Sequence, residues 1–294
     1  MNSTLCNACP RHCNALRPAG FCKSPAEPVL ARAALHHWEE PVISGTKGSG
    51  AIFFSGCNLQ CVFCQNYGIS TEHQGTKISV ERLRTICDEL IAQGAHNINF
   101  VTPGHYTDAI LQCLEKPLPV PTVYNTNGYD SVETLRKFEN KIQIYLPDMK
   151  YMDNTLAKKY SAAPDYAETA KAAILEMFRQ TGPYRINEEG LLESGVVIRH
   201  LILPNAVQNS LDVIRWVSET FRDGDVLFSL MRQYYPCGKV SDTDYPELNR
   251  VVTDEEYEIV ENALFESGME DGFVQDGESA DSKYTPDFDG TGVL

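Results

Sequence analysis

Positive charge and long apolar runs are both scarce in this sequence, and each shortage removes a class of function. Lys and Arg total 25 against 40 Asp and Glu, a formal net charge of −15. So acidic a chain repels phosphate backbones unless it carries a local basic patch. No run of Lys or Arg supplies one, so nucleic acid is not an expected partner. Residues 1–13 are polar and lack the apolar stretch of a secretory signal. The apolar run at 195–204 is interrupted by Arg199 and His200 and is far too short to span a bilayer. A cytoplasmic protein with no membrane partner is the expectation. There is no internal repeat, and 294 residues suit one large domain or a domain with a small appendage.

What is present in excess is clustered cysteine. Of ten cysteines, seven lie before residue 65, as Cys6, Cys9, Cys13 and Cys22, then Cys57, Cys61 and Cys64. Disulfides are unlikely partners for thiols in a reducing compartment, so such grouping points to metal or redox chemistry. Cys87 and Cys113 fall at apolar helix positions and read as core, and Cys237 reads as a free thiol.

After Gly48-Ser49-Gly50 the pattern becomes a strict alternation. Short runs rich in β-branched and aromatic residues predict strands at 51–55, 97–102, 122–125, 142–148, 196–203 and 226–231. Between them, apolar residues recurring at three and four predict helices at 80–93, 106–114, 131–139, 165–180 and 209–221. A last amphipathic helix is expected at 253–267. The alternation implies α/β architecture with a parallel sheet. A full eightfold barrel takes about 250 residues, more than is available here, so a partial (β/α)6 barrel with an N-terminal Cys-rich extension fits better. The expected organisation is a metal-binding segment over 1–50, the barrel over 51–235, and a C-terminal helix and acidic tail over 236–294. From residue 270 the chain is acidic, Gly-rich and nearly free of aliphatics, and a loose tail is expected. Residues 29–38 read as a short helix or strand.

The first strand runs straight into Gly56-Cys57-Asn58-Leu59-Gln60-Cys61-Val62-Phe63-Cys64. Three thiolates spaced C-x3-C-x2-C can hold three irons of a [4Fe–4S] cube and leave the fourth open. Structural zinc would want four protein ligands. This motif, with Phe63 in its aromatic slot, resembles the signature of the radical S-adenosylmethionine superfamily. Over 51–231 the chain resembles the pyruvate formate-lyase activating enzyme and its homologues. Residues 34–40 and 56–70 look like an uncharacterised branch of that group with an N-terminal cysteine segment. The resemblance implies a [4Fe–4S] cluster on Cys57, Cys61 and Cys64 that chelates S-adenosylmethionine and cleaves it reductively. It also implies a 5′-deoxyadenosyl radical that takes hydrogen from a protein glycyl site, and a reductant such as flavodoxin or ferredoxin.

Active sites of parallel α/β folds lie at the C-terminal ends of strands. The second strand ends in Thr102-Pro103-Gly104-His105, where the related enzymes carry Gly-Gly-Glu-Pro; Thr102 and His105 are cofactor candidates, and the plain alternative for His105 is a surface histidine at a helix start. The third ends in Asn125-Thr126-Asn127-Gly128, similar to the Thr-Asn-Gly of the activating enzymes, which implies cofactor contacts from Asn125 and Asn127. The fourth ends in Asp148-Met149-Lys150, similar to the family's Asp-x-Lys. Lys150 would meet the methionine carboxylate or a substrate with Asp148 as its partner. Arg199, on the fifth strand's inner face, needs an anion, and the methionine carboxylate is one available. Strand alternation puts His200 on the other face, packed or facing a helix.

Cys6-x2-Cys9 with Cys13 and Cys22 forms a four-thiolate set suited to structural Zn²⁺ or to a closed Fe–S cluster. Residues 36–40, His-His-Trp-Glu-Glu, read as a packing lid with no assigned role. Three functions compete. The first is an activase of a glycyl-radical partner. The second is radical modification of another peptide or small metabolite, which the missing Gly-Gly-Glu favours. The third is a metal-stabilised scaffold or electron carrier.

Overall fold

The protein is described by a computed structural model covering residues 5–275 and 285–294. In chain order the elements are β1 (Val29–His36), α1 (Pro41–Ser44), β2 (Ser49–Phe54), α2 (Tyr67–Ser70), β3 (Thr76–Lys77), α3 (Val80–Ala92), β4 (Ile98–Val101), α4 (Thr107–Cys113), β5 (Thr122–Thr126), α5 (Val132–Arg136), β6 (Ile144–Pro147), α6 (Asn154–Ser161), α7 (Tyr166–Thr181), β7 (Arg185–Ile186), β8 (Leu192–Leu201), α8 (Val207–Thr220), β9 (Leu227–Met231), α9 (Asp254–Glu266) and β10 (Gly272–Val274). The six strands expected from the alternation form a parallel array in the order β2-β4-β5-β6-β8-β9. β10 adds a parallel strand beyond β9, while β1 lies antiparallel on the free side of β2 and carries β3 at the far edge. The sheet therefore ends at β3 and β10 and is an open, partial barrel. Among the described residues no helix is long and apolar enough to cross a membrane.

Side-chain alternation along the strands builds two cores. Tyr124, Tyr145, Ile198 and Phe228 point outward into the large core under the helices. Their neighbours Val123, Ile144, Leu146, Val197 and Leu227 point into the bore, where they meet Val42 and Ile43 of α1. The short helix α1 thus plugs the bore. It gets there because β1 runs antiparallel to β2, with His36 opposite Ser49, so the connecting residues fold back under the parallel strands. Pro41 opens α1 at a position where its missing N–H costs nothing.

Helix ends follow local signals. Ser79 caps α3 by accepting from the Arg82 N–H, and Thr253 with Glu256 forms a capping box on α9. Cys87 and Cys113 are buried in the core as expected, with sulfurs 4.0 Å apart.

Residues 29–36 take the strand alternative and join the main sheet. Two differences from the sequence expectations stand out. α6 has no counterpart among them. The described parts of the tail are tied down where a loose tail was expected. β10 pairs with β9, Phe288 packs on Phe53, the Ala33 and Gly290 N–H groups bond to Thr291 and Ala31 oxygens, and Val293 is fully buried. A few apolar anchors and backbone hydrogen bonds hold this segment, which composition alone does not reveal. Residues 276–284 of that tail lie outside the described residues.

Candidate active site

The three-cysteine loop leaves β2 through Gly56, whose φ of +87° and crowded surroundings exclude a side chain: a Cβ there would come within 2.1 Å of Ser24 Oγ. The loop is then fixed from several directions. The Gly56 N–H donates to Ile69 O, the Val62 N–H to Tyr160 O, and the Lys239 N–H to Val62 O. Cys57 and Cys61 are buried and Cys64 is half-buried.

Each sulfur accepts a hydrogen bond. Asn127 Nδ2 donates to Cys57 Sγ at 3.3 Å, Ser161 Oγ to Cys61 Sγ at 2.9 Å, and Ser70 Oγ to Cys64 Sγ at 3.3 Å. Burial pushes the Cys61 thiol up to about 12 and the Cys64 thiol up to about 11. Donors aimed at every sulfur suit metal-bound thiolates, and the loop opens on a cavity of about 590 Å³ lined by Cys61, Phe63 and Cys64. That volume falls in the range of cofactor pockets. Among the described residues no three His, Cys, Asp or Glu side chains group as a ready ligand set for a metal ion. This is no obstacle to a cube of four irons, which is wider than one ion, and the residues present fit such a group.

Beneath the loop, the bore holds a buried charge network. Arg199 Nε donates to Asp148 Oδ1 at 2.9 Å, Nη1 to Glu39 Oε2 at 3.1 Å, and Nη2 to Asn125 Oδ1 at 2.7 Å. Lys150 Nζ donates to Asp148 Oδ2 at 2.7 Å. Asn99 and Asn125 donate to Glu39 Oε1 at 3.2 and 3.0 Å. Burial works to raise the Asp148 carboxyl, but Arg199 and Lys150 overcome it and hold it below the ordinary value. Burial likewise opposes the charge on Lys150, and Asp148 restores it. For Glu39 burial wins over Arg199, and its pKa lies above the ordinary value.

The sequence candidates divide accordingly. Phe63, Asn125, Asp148, Lys150 and Arg199 line the cavity. Asn127 reaches the cluster loop through Cys57 Sγ and Asn58 Oδ1. Thr102 and His105 are not among the cavity's lining residues. His105 is buried, not on the surface, and its Nε2 lies 2.8 Å from Ser55 O, which steadies the end of β2. Burial holds its imidazole down at about 4. The anions that Arg199 needs come from the protein itself, Asp148 and Glu39. His200 faces α8, with Nε2 2.8 Å from Ser210 Oγ and Nδ1 2.6 Å from Met149 O. Cys237 donates to Phe63 O at 3.1 Å.

Sequence reasoning missed Glu39 and Glu40, which enter the bore with α1 rather than lying over it as a lid. It also missed Ser161 and Ser70, whose roles depend on tertiary approach; Ser161 lies 100 residues from the sulfur it serves.

The N-terminal cysteines occupy a tight knuckle. The Cys6 N–H donates to Ala15 O, Asn14 N–H to Cys6 O, and His12 N–H to Cys9 O. Arg11, inside this knuckle, docks it onto the cluster loop. Its Nε donates to Asn58 O at 2.8 Å, its Nη2 to Ser161 O at 3.1 Å, and its Nη1 to Ala162 O, and the guanidinium lies 4.0 Å from the Phe21 ring centroid.

No family model matches the sequence. The uncharacterized protein MJ0674 of Methanocaldococcus jannaschii is 30% identical over 273 residues, covering 88% of this chain and 73% of that protein. Among solved structures, Streptococcus suis SuiB bound to S-adenosylmethionine superposes with a TM-score of 0.50 at 15% identity, over 75% of this chain and 48% of SuiB. Methylornithine synthase (PylB) superposes with a TM-score of 0.50 at 14% identity, over 81% of this chain and 68% of the synthase. The chain thus spans about half the length of SuiB and shares the partial-barrel fold of both.

Proposed function

The chain belongs to the family of the uncharacterized protein MJ0674 of Methanocaldococcus jannaschii, and on that premise we propose that it is a radical S-adenosylmethionine enzyme. The observation that carries this reading is the loop at the end of β2, where three cysteines each accept a hydrogen bond and two of them, Cys61 and Cys64, line a cavity floored by charge. The shared fold supports it. In this reading Cys57, Cys61 and Cys64 would hold the cluster. With S-adenosylmethionine bound there, the cluster would supply one-electron reductive cleavage chemistry.

The protein's own residues do the rest. Asn127, Ser161 and Ser70 stabilise negative charge on the three sulfurs. Phe63, with ring centroids 5.9 Å from Tyr234 and 6.4 Å from Tyr160, walls the cluster side. Asn125, Asp148, Lys150 and Arg199 form a preorganised polar floor for the cofactor's methionine and ribose groups. Val42 and Ile43 close the bottom of the bore and keep water from entering there.

The proposed target is a glycyl site of a partner protein, with flavodoxin or ferredoxin as reductant. A second reading keeps the radical chemistry and moves it to another peptide. The absence of Gly-Gly-Glu after β4 favours it, and the structural neighbour SuiB is known bound to its precursor peptide SuiA. A second, structural metal at Cys6, Cys9, Cys13 and Cys22 belongs to the proposal, and no chemical step is assigned to it.

Anaerobically reconstituted, reduced protein should give a cluster electron paramagnetic signal that changes on adding S-adenosylmethionine. A signal indifferent to the cofactor would sink the reading, and zinc without iron in both cysteine sets would bring forward the scaffold. With glycyl-radical candidates added, a glycyl signal decides for the activase; modified peptide without that signal decides for the second reading.

A further inference from the structure

The charged side chains lining the cavity are Glu39, Glu40, Asp148, Lys150 and Arg199. Three carboxyl groups face two cations, so one carboxyl has no cation of its own. The geometry identifies which one. Asp148 is paired with both Arg199 and Lys150, and Glu39 is paired with Arg199 and two amides. Glu40 forms no ion pair among the described residues. It is only 8% exposed, and its Oε2 has no hydrogen-bond partner. Arg199, whose donors go to Asp148, Glu39 and Asn125, has no short contact left for it.

Glu40 is held there by construction. It immediately precedes α1, whose Val42 and Ile43 are fixed in the apolar floor. It caps nothing: its side chain makes no hydrogen bond to the helix N-terminus. Ser229 of β9 lines the cavity with it and hydrogen-bonds to its side chain, which leaves Oε2 unpartnered. A buried carboxylate with no cation in contact is costly. A ligand cation that donates N–H bonds relieves that cost.

We infer that Glu40 is the anchor of a subsite for a cationic nitrogen group, an alkylammonium or guanidinium, on the substrate that enters the bore. The inference rests on the radical reading only for why a substrate enters. It adds the chemical class: the substrate places a positively charged amine-type group on the floor of the bore and its reacting carbon nearer the cysteine loop. A peptide lysine or arginine side chain, or a small free amine, has this chemistry.

The test is ligand-observed NMR titration of the full-length protein without S-adenosylmethionine or reductant, so its failure is independent of any failure of the radical chemistry. The probes are butylammonium against 1-butanol, and a capped pentapeptide with one central lysine against its norleucine twin. Saturable binding of a cationic probe, about tenfold or more tighter than its neutral twin and lost to that extent in Glu40→Gln, is expected from one charge-assisted contact. Preference for the peptide over butylammonium assigns the group to a peptide side chain, and the reverse assigns it to a free amine. Equal binding of cationic and neutral probes by the unaltered protein overturns the inference even where Glu40→Gln fails to fold. So does undiminished binding by a folded Glu40→Gln.

Discussion

The two cysteine groups of this chain use the same residue and differ in what holds them. Cys57, Cys61 and Cys64 sit where the whole sheet converges. Their hydrogen-bond donors come from Asn127 after β5, Ser161 at the end of α6, and Ser70 of α2. Cys6, Cys9 and Cys13 are arranged by their own backbone turns, and Arg11, with a Gln60 Nε2 bond to Phe21 O, ties that segment to the loop. The loop is therefore a product of tertiary structure and opens on the bore, whereas the turns of the knuckle are local.

The largest predicted effect strikes beneath the loop. Arg199→Met removes the ion pair of buried Glu39 and leaves Asp148 with Lys150 alone, and breaking such a network should cost about 3–5 kcal/mol, read by urea unfolding. A loss below about 1 kcal/mol would mean that the network carries no structural weight and that the loop is as locally held as the knuckle. Next in size is an acid effect. Burial lowers His200 to about 4 from the ordinary 6.5, so the folded state keeps it neutral while the unfolded chain takes up a proton below about pH 6.5. Its contribution is complete above pH 6.5 and is lost as pH falls toward 4, about 3.5 kcal/mol at roughly 1.4 per unit. His200→Gln should flatten that part of the stability profile, and an unchanged profile would refute the assignment.

Arg11→Ala tests the tie itself. Loss of its carbonyl contacts and ring stacking should cost about 2 kcal/mol. It should also speed cluster loss from the loop several-fold, with hydrogen exchange in α8 and α9 unchanged. An effect confined to residues 5–28 would show that the two cysteine groups are independent. The smallest change is expected from Cys9→Ser. Total metal should fall by the knuckle's share alone, with the iron bound at the loop unchanged, as metal analysis would show.

Much of the sheet was legible in the sequence because buried parallel strands announce themselves as short apolar runs at regular intervals. The cysteine loop was legible as a candidate site because its three thiols lie within eight residues of chain. Arg199 and His200 could be assigned to opposite faces by alternation alone. The Glu39 and Glu40 positions were not legible. Nothing near residue 38 says that β1 pairs antiparallel with β2 and carries the following turn into the bore. His105 read as a cofactor candidate, with a surface histidine as the alternative, because the local sequence cannot reveal that Ser55 O lies 2.8 Å from its ring. The tail misled for the opposite reason: one valine and one phenylalanine, Val293 and Phe288, suffice to anchor an otherwise polar segment.

The central claim, that the loop at the end of β2 performs radical chemistry, is tested most directly by measuring 5′-deoxyadenosine. Anaerobically reconstituted, reduced protein is given S-adenosylmethionine beside the triple variant Cys57→Ala, Cys61→Ala, Cys64→Ala, with an added lysine-bearing peptide in parallel to supply a substrate. The account predicts the nucleoside from the unaltered protein and none from the variant. No product in either arm from a protein carrying its full iron–sulfur load, or equal product from the variant, would contradict it.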